Sequence, residues 1–394
     1  MNFSQFPVSN ATFLASILVT CSCFNAMAFS DSQNSLDLNI AAKAGYIDNF
    51  LYQTDDEQST AFYKLSSQLA LESKGQQSIV SLDANVDSYF FDKFKDDDHS
   101  EFSLNPKYQY KITQNQAVNI SAHWDNSYVY RGTGLSLGEL NNLKEGDEKE
   151  NFGASFGFEY GTFDSQGRVN FEVKYDEGKF TTRRAETSEL DSDTLNIKSS
   201  FDYLLSGKTY MVFDVDYQIG DYPNDPIRNR DSLTALAGVK WQTTVISELS
   251  FLVGYQNLKF ENSLLDDDAF KWRFDYIWRP SDFTTMHLMS NRKFDKADRI
   301  ASTYSLGEIY EIDIVHAFTD HVSINALVSY NSEKIVTLKS QRKENYWSSI
   351  LRVNYQRTER LGFYLTYQNK SLDADYGDID YLYNSVSLGV KVEL

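Results

Sequence analysis

The chain has 394 residues, a formal net charge of −19, 15% aromatic residues, five prolines and a mean hydropathy of −0.46. The acid excess and the scattered bases leave no footprint for nucleic acid, and beyond the first residues nothing approaches the about 18 consecutive apolar residues of a membrane-spanning helix. Mean hydropathy does not exclude a transmembrane barrel, because half of every barrel strand is polar.

Residues 11–24 are apolar and are followed by Ala26, Met27 and Ala28, an A-x-A cleavage pattern. The expectation is a secretory signal peptide over 1–28 and a single domain over 29–394, although no Lys or Arg precedes the apolar stretch. Cys21 and Cys23 are the only cysteines and fall in the leader. Neither sits in a lipoprotein acceptor pattern, so the mature chain would have no disulfide, thiolate nucleophile or cysteine-bound metal.

From there on, apolar and polar residues alternate with period two, the pattern of a strand with one greasy face. The first face runs Leu36, Leu38, Ile40, Ala42, Ala44, Tyr46, and the second runs from Tyr63 to Leu71. Val80 to Phe90 form the third, with Asp83 and Asp87 on the opposite parity. Phe102 to Ile112 form the fourth, where Pro106 marks an irregularity because it lacks a backbone donor. Val118 to Tyr130, Phe152 to Tyr160, Val169 to Tyr175 and Leu195 to Tyr203 follow. Met211 to Ile219, Leu233 to Trp241, Leu249 to Tyr255 and Phe270 to Trp278 continue the series. A thirteenth segment near 283–291 alternates poorly; Tyr310 to Ile314, Val322 to Tyr330, Trp347 to Tyr355 and Leu361 to Tyr367 are clearer. The last residues, Leu382 to Leu394, alternate to the end of the sequence.

Connections alternate in length. Short ones at 73–77, 113–116, 163–167, 206–208, 279–282, 318–321 and 356–360 follow even-numbered strands. Longer, more acidic ones at 53–60, 92–101, 131–150, 178–193, 220–231, 261–268, 333–344 and 372–380 follow odd-numbered strands. Segments 242–247 and 294–302 keep the order less sharply. Short periplasmic turns and long extracellular loops are the mark of an outer-membrane barrel. The predicted fold is therefore all-β: an antiparallel up-and-down transmembrane β-barrel of about 18 strands, or 16 if the thirteenth and a neighbour are misread. Closure removes the strand edges that hydrocarbon cannot satisfy, and rings such as Trp124, Tyr160, Trp241, Trp278 and Tyr355 fall where interfacial belts form.

Parity places charges inside: Lys43, Asp83, Asp87, Lys107, Asp125, Glu172, Lys174, Asp214, Asp216, Lys271, Arg273, Asp275 and Arg352 are candidate channel-lining residues, joined by Asp176, Lys198, Asp202 and Lys391. Their mixed sign fixes no ion preference. About eighteen strands enclose room for water unless something fills it. Only residues 29–35 separate the expected cleavage site from the first strand, so no plug domain is expected. Any constriction would come from a loop, with 131–150 the longest and supplied with Gly132, Gly134, Gly138 and Gly146; the alternative for that segment is a mobile surface loop. Of the five histidines, His123 and His287 are read as interior, His99 and His321 as lying in connections, and His316 on the outer parity. None sits in a catalytic motif such as G-x-S-x-G or H-E-x-x-H, so no enzyme activity, metal or cofactor is expected. Acidic clusters at 96–98, 266–268 and 373–375 are solvated loop charge or, alternatively, bridges through divalent cations to lipopolysaccharide phosphates.

The terminal G-x-x-V-x-L, Gly389, Val392 and Leu394, resembles the C-terminal signal that outer-membrane barrels present to the barrel-assembly machinery, although such signals usually end in Phe or Trp. Length, acidic loops and tyrosine-rich strands together resemble the β-barrel porin-2 family of bacterial outer-membrane proteins. That resemblance implies a multi-pass outer-membrane location, contact with outer-membrane lipids and lipopolysaccharide, and a role in exopolysaccharide production and export. Saccharides and periplasmic polysaccharide-export proteins are the partners it implies. A porin-like channel for hydrophilic solutes is the functional expectation. The alternatives are a non-conducting structural or adhesin-like barrel and a barrel enzyme acting on lipid or polysaccharide.

Overall fold

The computed structural model describes residues 33–137, 143–162, 164–244, 246–262, 265–296, 302–375, 377 and 379–394. The signal-peptide expectation lies outside them. The strands are β1 Gln33–Ile47, β2 Thr60–Lys74, β3 Ser78–Phe91, β4 His99–Thr113, β5 Gln116–Val129 and β6 Asp147–Tyr160. Then come β7 Gly167–Phe180, β8 Ser192–Ser206, β9 Thr209–Asp221, β10 Arg230–Thr244, β11 Ser247–Phe260 and β12 Asp267–Ser281. The last six are β13 Thr284–Lys296, β14 Ser302–Ala317, β15 Val322–Thr337, β16 Gln341–Gln356, β17 Leu361–Ala374 and β18 Tyr381–Glu393.

Each strand pairs antiparallel with the next, and β18 pairs with β1 to close an 18-stranded barrel. Closure extends to Leu394, whose backbone N–H donates to the Leu38 carbonyl at 2.8 Å. The thirteenth strand is real and runs on to Lys296, past the stretch that alternates poorly. Pro106 sits inside β4, opposite Leu82 of β3, while the β4–β5 pairing skips Asn105 and Pro106, as a missing donor requires. The loop expected over 333–344 is largely strand: β15 and β16 continue to a three-residue turn at 338–340.

Directly paired residues of an antiparallel ladder project to the same side, so register decides which side of the wall each residue occupies. Leu65, Ile120, Phe156, Val215, Phe251, Ile312, Leu365 and Leu388 share the outer face and are exposed. Apolar exposure on this scale is explained by lipid. Rings mark both borders of the band: Trp124, Tyr255, Phe270 and Trp347 toward the long loops, Tyr160, Trp241, Trp278 and Tyr355 toward the short turns. Trp347 and Tyr355 stand eight residues apart on β16, about 26 Å of strand, a span that suits the height of such a band.

Candidate solute path and extracellular cap

The structure places Lys43, Asp83, Asp87, Lys107 and Asp125 on the inner side of β1, β3, β4 and β5. Glu172, Lys174, Asp214, Asp216, Lys271, Arg273 and Asp275 point inward from β7, β9 and β12, and Arg352 from β16. They do not form one ring. Two walls with different packing emerge.

Along β8–β11 many inward side chains are buried, among them Thr194, Asp202, Tyr210, Val212, Thr234, Leu236, Leu252 and Leu258, while Lys198 stays exposed. Two things cover them. Toward the turns, Asp202 accepts from Arg168 at 2.6 Å and faces Lys240 at 3.3 Å, and the Arg168 guanidinium lies 4.2 Å from the Tyr210 ring centre. Arg273 reaches from β12 to Asp214 on β9 at 2.8 Å. Toward the loops, the end of β13 leans across the interior. The Phe294 N–H donates to Gln256 Oε1 at 3.1 Å, Arg230 donates to the Asp295 carbonyl at 3.3 Å, and Lys296 Nζ reaches Ser192 Oγ on β8 at 3.0 Å. Phe294 and Tyr304 then pack with Leu258 and Phe260. The backbone follows suit: a Cβ on Gly238 would overlap the Phe251 carbonyl oxygen, and one on Gly254 the Ala235 carbonyl oxygen. Only glycine permits this approach of β10 and β11.

The opposite wall, β14–β18 and β1–β5, keeps most of its inward side chains half-exposed. Cations concentrate on one arc of it: Lys43, Lys64, Arg352, Lys370 and Lys391, with Lys64 paired to Asp87 at 3.0 Å and Lys391 to Glu393 at 2.8 Å. Asp275, Glu311, Asp313 and Glu333 line the adjoining arc. Cavities open along the cationic arc. One of about 430 Å³ is bordered by Asn39, Lys43, Lys64, Asp87, Arg352 and Tyr364. A second, of about 200 Å³, lies nearer the loops between Lys43, Phe62, Tyr89, Thr366, Lys370 and Tyr383.

Aromatic rings roof that second cavity. Phe50, from the loop 48–59, packs on Phe91 at 4.7 Å and stacks on Phe94 at 4.5 Å. Tyr52 stacks on Tyr383 at 5.0 Å and 4°, and Lys370 Nζ stands 5.3 Å from the Tyr383 ring centre. Burial pushes the Tyr52 phenol well above its usual range, so it stays neutral. In the segment 131–150, read either as an inward constriction or as a surface loop, the described residues 131–137 pack over a neighbouring loop: Gly132, at φ +78°, presses against the Leu51 carbonyl. The end of β13 and the start of β14 take the inward course. Gly138 lies outside the described residues.

The acidic loops hold themselves together. Asp97 is fully buried and accepts from Arg131, from the Tyr128 hydroxyl at 2.8 Å and from the Gly146 N–H at 3.1 Å. Asp147 takes Arg183 and Thr182, and Asp191 takes Arg184 at 2.6 Å and the Phe180 N–H at 3.0 Å. Asp98, Asp266 and Asp375 accept from the backbone of Phe91, Phe260 and Lys343, and Asp267 from the Tyr304 hydroxyl. These carboxylates cap and staple loops rather than project as free charge. Among the described residues no group of three or more His, Cys, Asp or Glu side chains is arranged to hold a metal ion.

His123 and His287 face inward, 3.3 Å from Asp176 and 2.7 Å from Asp275. His99, expected in a connection, opens β4 and is buried, stacked 3.9 Å from Tyr128 and 4.8 Å from Tyr89. His316 bonds Thr284 on the outer side, and His321 bonds the Gln356 carbonyl in a turn. Sequence reading missed Lys64, Lys370, Glu311 and Asp313; all four stand on the inner parity of their strands. It also missed the roof aromatics, whose signal is doubling at strand ends: Phe62–Tyr63 and Phe90–Phe91 put a ring on each face. Gly389 faces inward beside Tyr364, Val392 pairs with Ile40 and Leu361, and Leu394 lies exposed at the seam.

Among solved structures, OccAB4 from Acinetobacter baumannii is similar at 13% identity, with 91% of this chain and 98% of that one covered and a TM-score of 0.48. The FrpB iron transporter from Neisseria meningitidis is similar at 8% identity, with 91% and 82% covered and a TM-score of 0.48. The siderophore receptor PirA from Acinetobacter baumannii is similar at 7% identity, with 92% and 81% covered and a TM-score of 0.45. Likenesses this distant assign no solute. A search of curated protein sequences finds no match. The family model described as "Putative beta-barrel porin 2" matches residues 38–394. The chain belongs to that family and is a multi-pass β-barrel transport protein of the outer membrane.

Proposed function

We propose that the protein is a channel for hydrophilic solutes, saccharides in particular, and that the path runs along the half-exposed wall rather than through the barrel centre. The observation that carries this reading is the cavity beneath the loops. The stacked Tyr52 and Tyr383 adjoin Thr366, Gln368, Ser385 and Ser387, with Lys43 and Lys370 beside them. Flat rings meet the C–H faces of a sugar, and hydroxyl and amide groups meet its rim of hydroxyls. A few placed polar groups among aromatic ones is the usual make-up of a small-molecule site. Lys43, Asp87 and Arg352 then line the descent, and the remaining inward charges act as wall, not as ligands. A role in exopolysaccharide export, with periplasmic partners handing over the chain, is the physiological setting the family suggests.

The test is single-channel conductance of the refolded barrel in planar bilayers, with neutral and acidic oligosaccharides added to either side. Steady open events that oligosaccharides block reversibly are expected. Open events indifferent to every sugar would replace the proposal with a general pore. A folded barrel that never conducts would replace it with a structural role.

A further inference from the structure

Antiparallel pairing between β12 and β13 stops at Arg273–Asn291, although β12 begins at Asp267 and β13 ends at Lys296. There the end of β13 leans inward, away from β12. Above that point the wall has a seam, and a seam in a membrane leaves backbone groups short of partners. Arg292 patches it. Its Nη1 donates to the Phe270 carbonyl at 3.3 Å, its guanidinium lies 5.5 Å from the Trp272 ring centre, and its Nε is 3.2 Å from Glu308.

Beside the seam lies a concavity of about 460 Å³ bordered by Arg292, Glu308, Lys334, Arg342, Lys343 and Asp375. Lys334 pairs across the ladder with Lys343, on the face that carries Tyr330 and Trp347. Glu308 shares the face of Tyr310. Tyr310 and Trp347 are exposed rings of the outer belt, so the concavity opens two to four residue pairs above it. That is headgroup height in the outer leaflet. Four cations meet two carboxylates there, in a chain whose net charge is −19, and of the four Arg292 pairs with Glu308 and Arg342 with the buried Glu344 at 2.9 Å. Asp375 is turned to the Lys343 backbone N–H at 2.8 Å. Lys334 and Lys343 are exposed and make no ion pair among the described residues. Like charges placed directly opposite on a ladder destabilise it, and an anion between the two ammonium groups would relieve that repulsion.

We propose that this concavity binds a phosphate group of an outer-leaflet glycolipid, held by Lys334, Lys343 and Arg292, with the acyl chains descending over Tyr310 and Trp347. The lipid thereby closes the wall where β12 and β13 part.

The probe is bisphosphorylated lipid A, added to the refolded full barrel in detergent and followed by native mass spectrometry. The wild type is expected to retain one lipid A. The double variant Lys334→Gln, Lys343→Gln is expected to retain about tenfold less, the loss of charge-assisted contacts. Both lysines are exposed, and heat-modifiable gel migration checks that the variant folds. Dephosphorylated lipid A is expected to bind wild type no better than bisphosphorylated lipid A binds the variant. Equal retention by wild type and variant overturns the proposal, and so does equal binding of dephosphorylated lipid A. Binding of inorganic phosphate without retention of lipid A overturns the glycolipid as its source.

Discussion

The wall of β8–β11 and the wall of β14–β5 are built from the same alternating strands, yet one is packed like a protein core and the other is wetted. On the first, Asp202 is 2% exposed between Arg168 and Lys240, and apolar Val212, Leu236 and Leu252 point inward with it. On the second, Asp87 pairs with Lys64 beside a cavity. What separates them is curvature and cover. Gly238 and Gly254 let β10 and β11 approach closely, and the β13 end lies across their inner face. A barrel interior therefore need not be a uniform pore: one wall can serve as the foundation and the other as the path.

Bulk should break this contrast most visibly. Gly238→Val drives a side chain into the β11 backbone and should cost about 3 kcal/mol, whereas Ala41→Val beside the cavity should stay within about 0.5 kcal/mol; urea titration of the folded fraction on gels checks both. Next comes charge deletion. Asp202→Ala leaves the part-buried Arg168 and Lys240 without their shared carboxylate and should cost about 2–3 kcal/mol. Asp87→Ala, on the wetted wall, should cost about 1 kcal/mol or less. The same titration reads it. Ion preference sharpens the contrast with a smaller effect. Replacing Lys43 and Arg352 by Gln should shift reversal potentials toward cations, changing the permeability ratio by about twofold. Lys271→Gln, on a buried lysine, should leave the ratio unchanged.

Much of this molecule is readable from its alternation. The count of strands, the outer face of Leu65, Phe251 or Leu365, and the inner parity of Lys43 or Arg273 all follow from period two. Curvature does not. Nothing in the spacing of Phe294 and Tyr304 tells that these strand ends turn inward, because a strand bent into the lumen keeps its period. Gly238 and Gly254 fall on the inner parity, where a small residue reads as lumen lining as readily as close packing. The loops mislead through their acidity: Asp97 reads with its cluster as solvated charge or a divalent-cation bridge, and Asp147 and Asp191 only as part of acidic loops, but each has found an arginine that alternation cannot pair with it. The run 333–344 reads as loop because its charges mask the last turns of β15 and β16, the same charges that border the concavity at the seam.

The claim that solute follows the wetted wall is tested most directly by thiol accessibility during conductance. Cys21 and Cys23 are the only cysteines, and both are replaced by Ser in the background. A charged, membrane-impermeant thiol reagent is then applied to Thr366→Cys, beside the aromatic-roofed cavity, and to Thr234→Cys, buried on β10. The account predicts that the reagent lowers the current through Thr366→Cys and leaves Thr234→Cys untouched. Equal block at both positions, or block at Thr234→Cys alone, would contradict it.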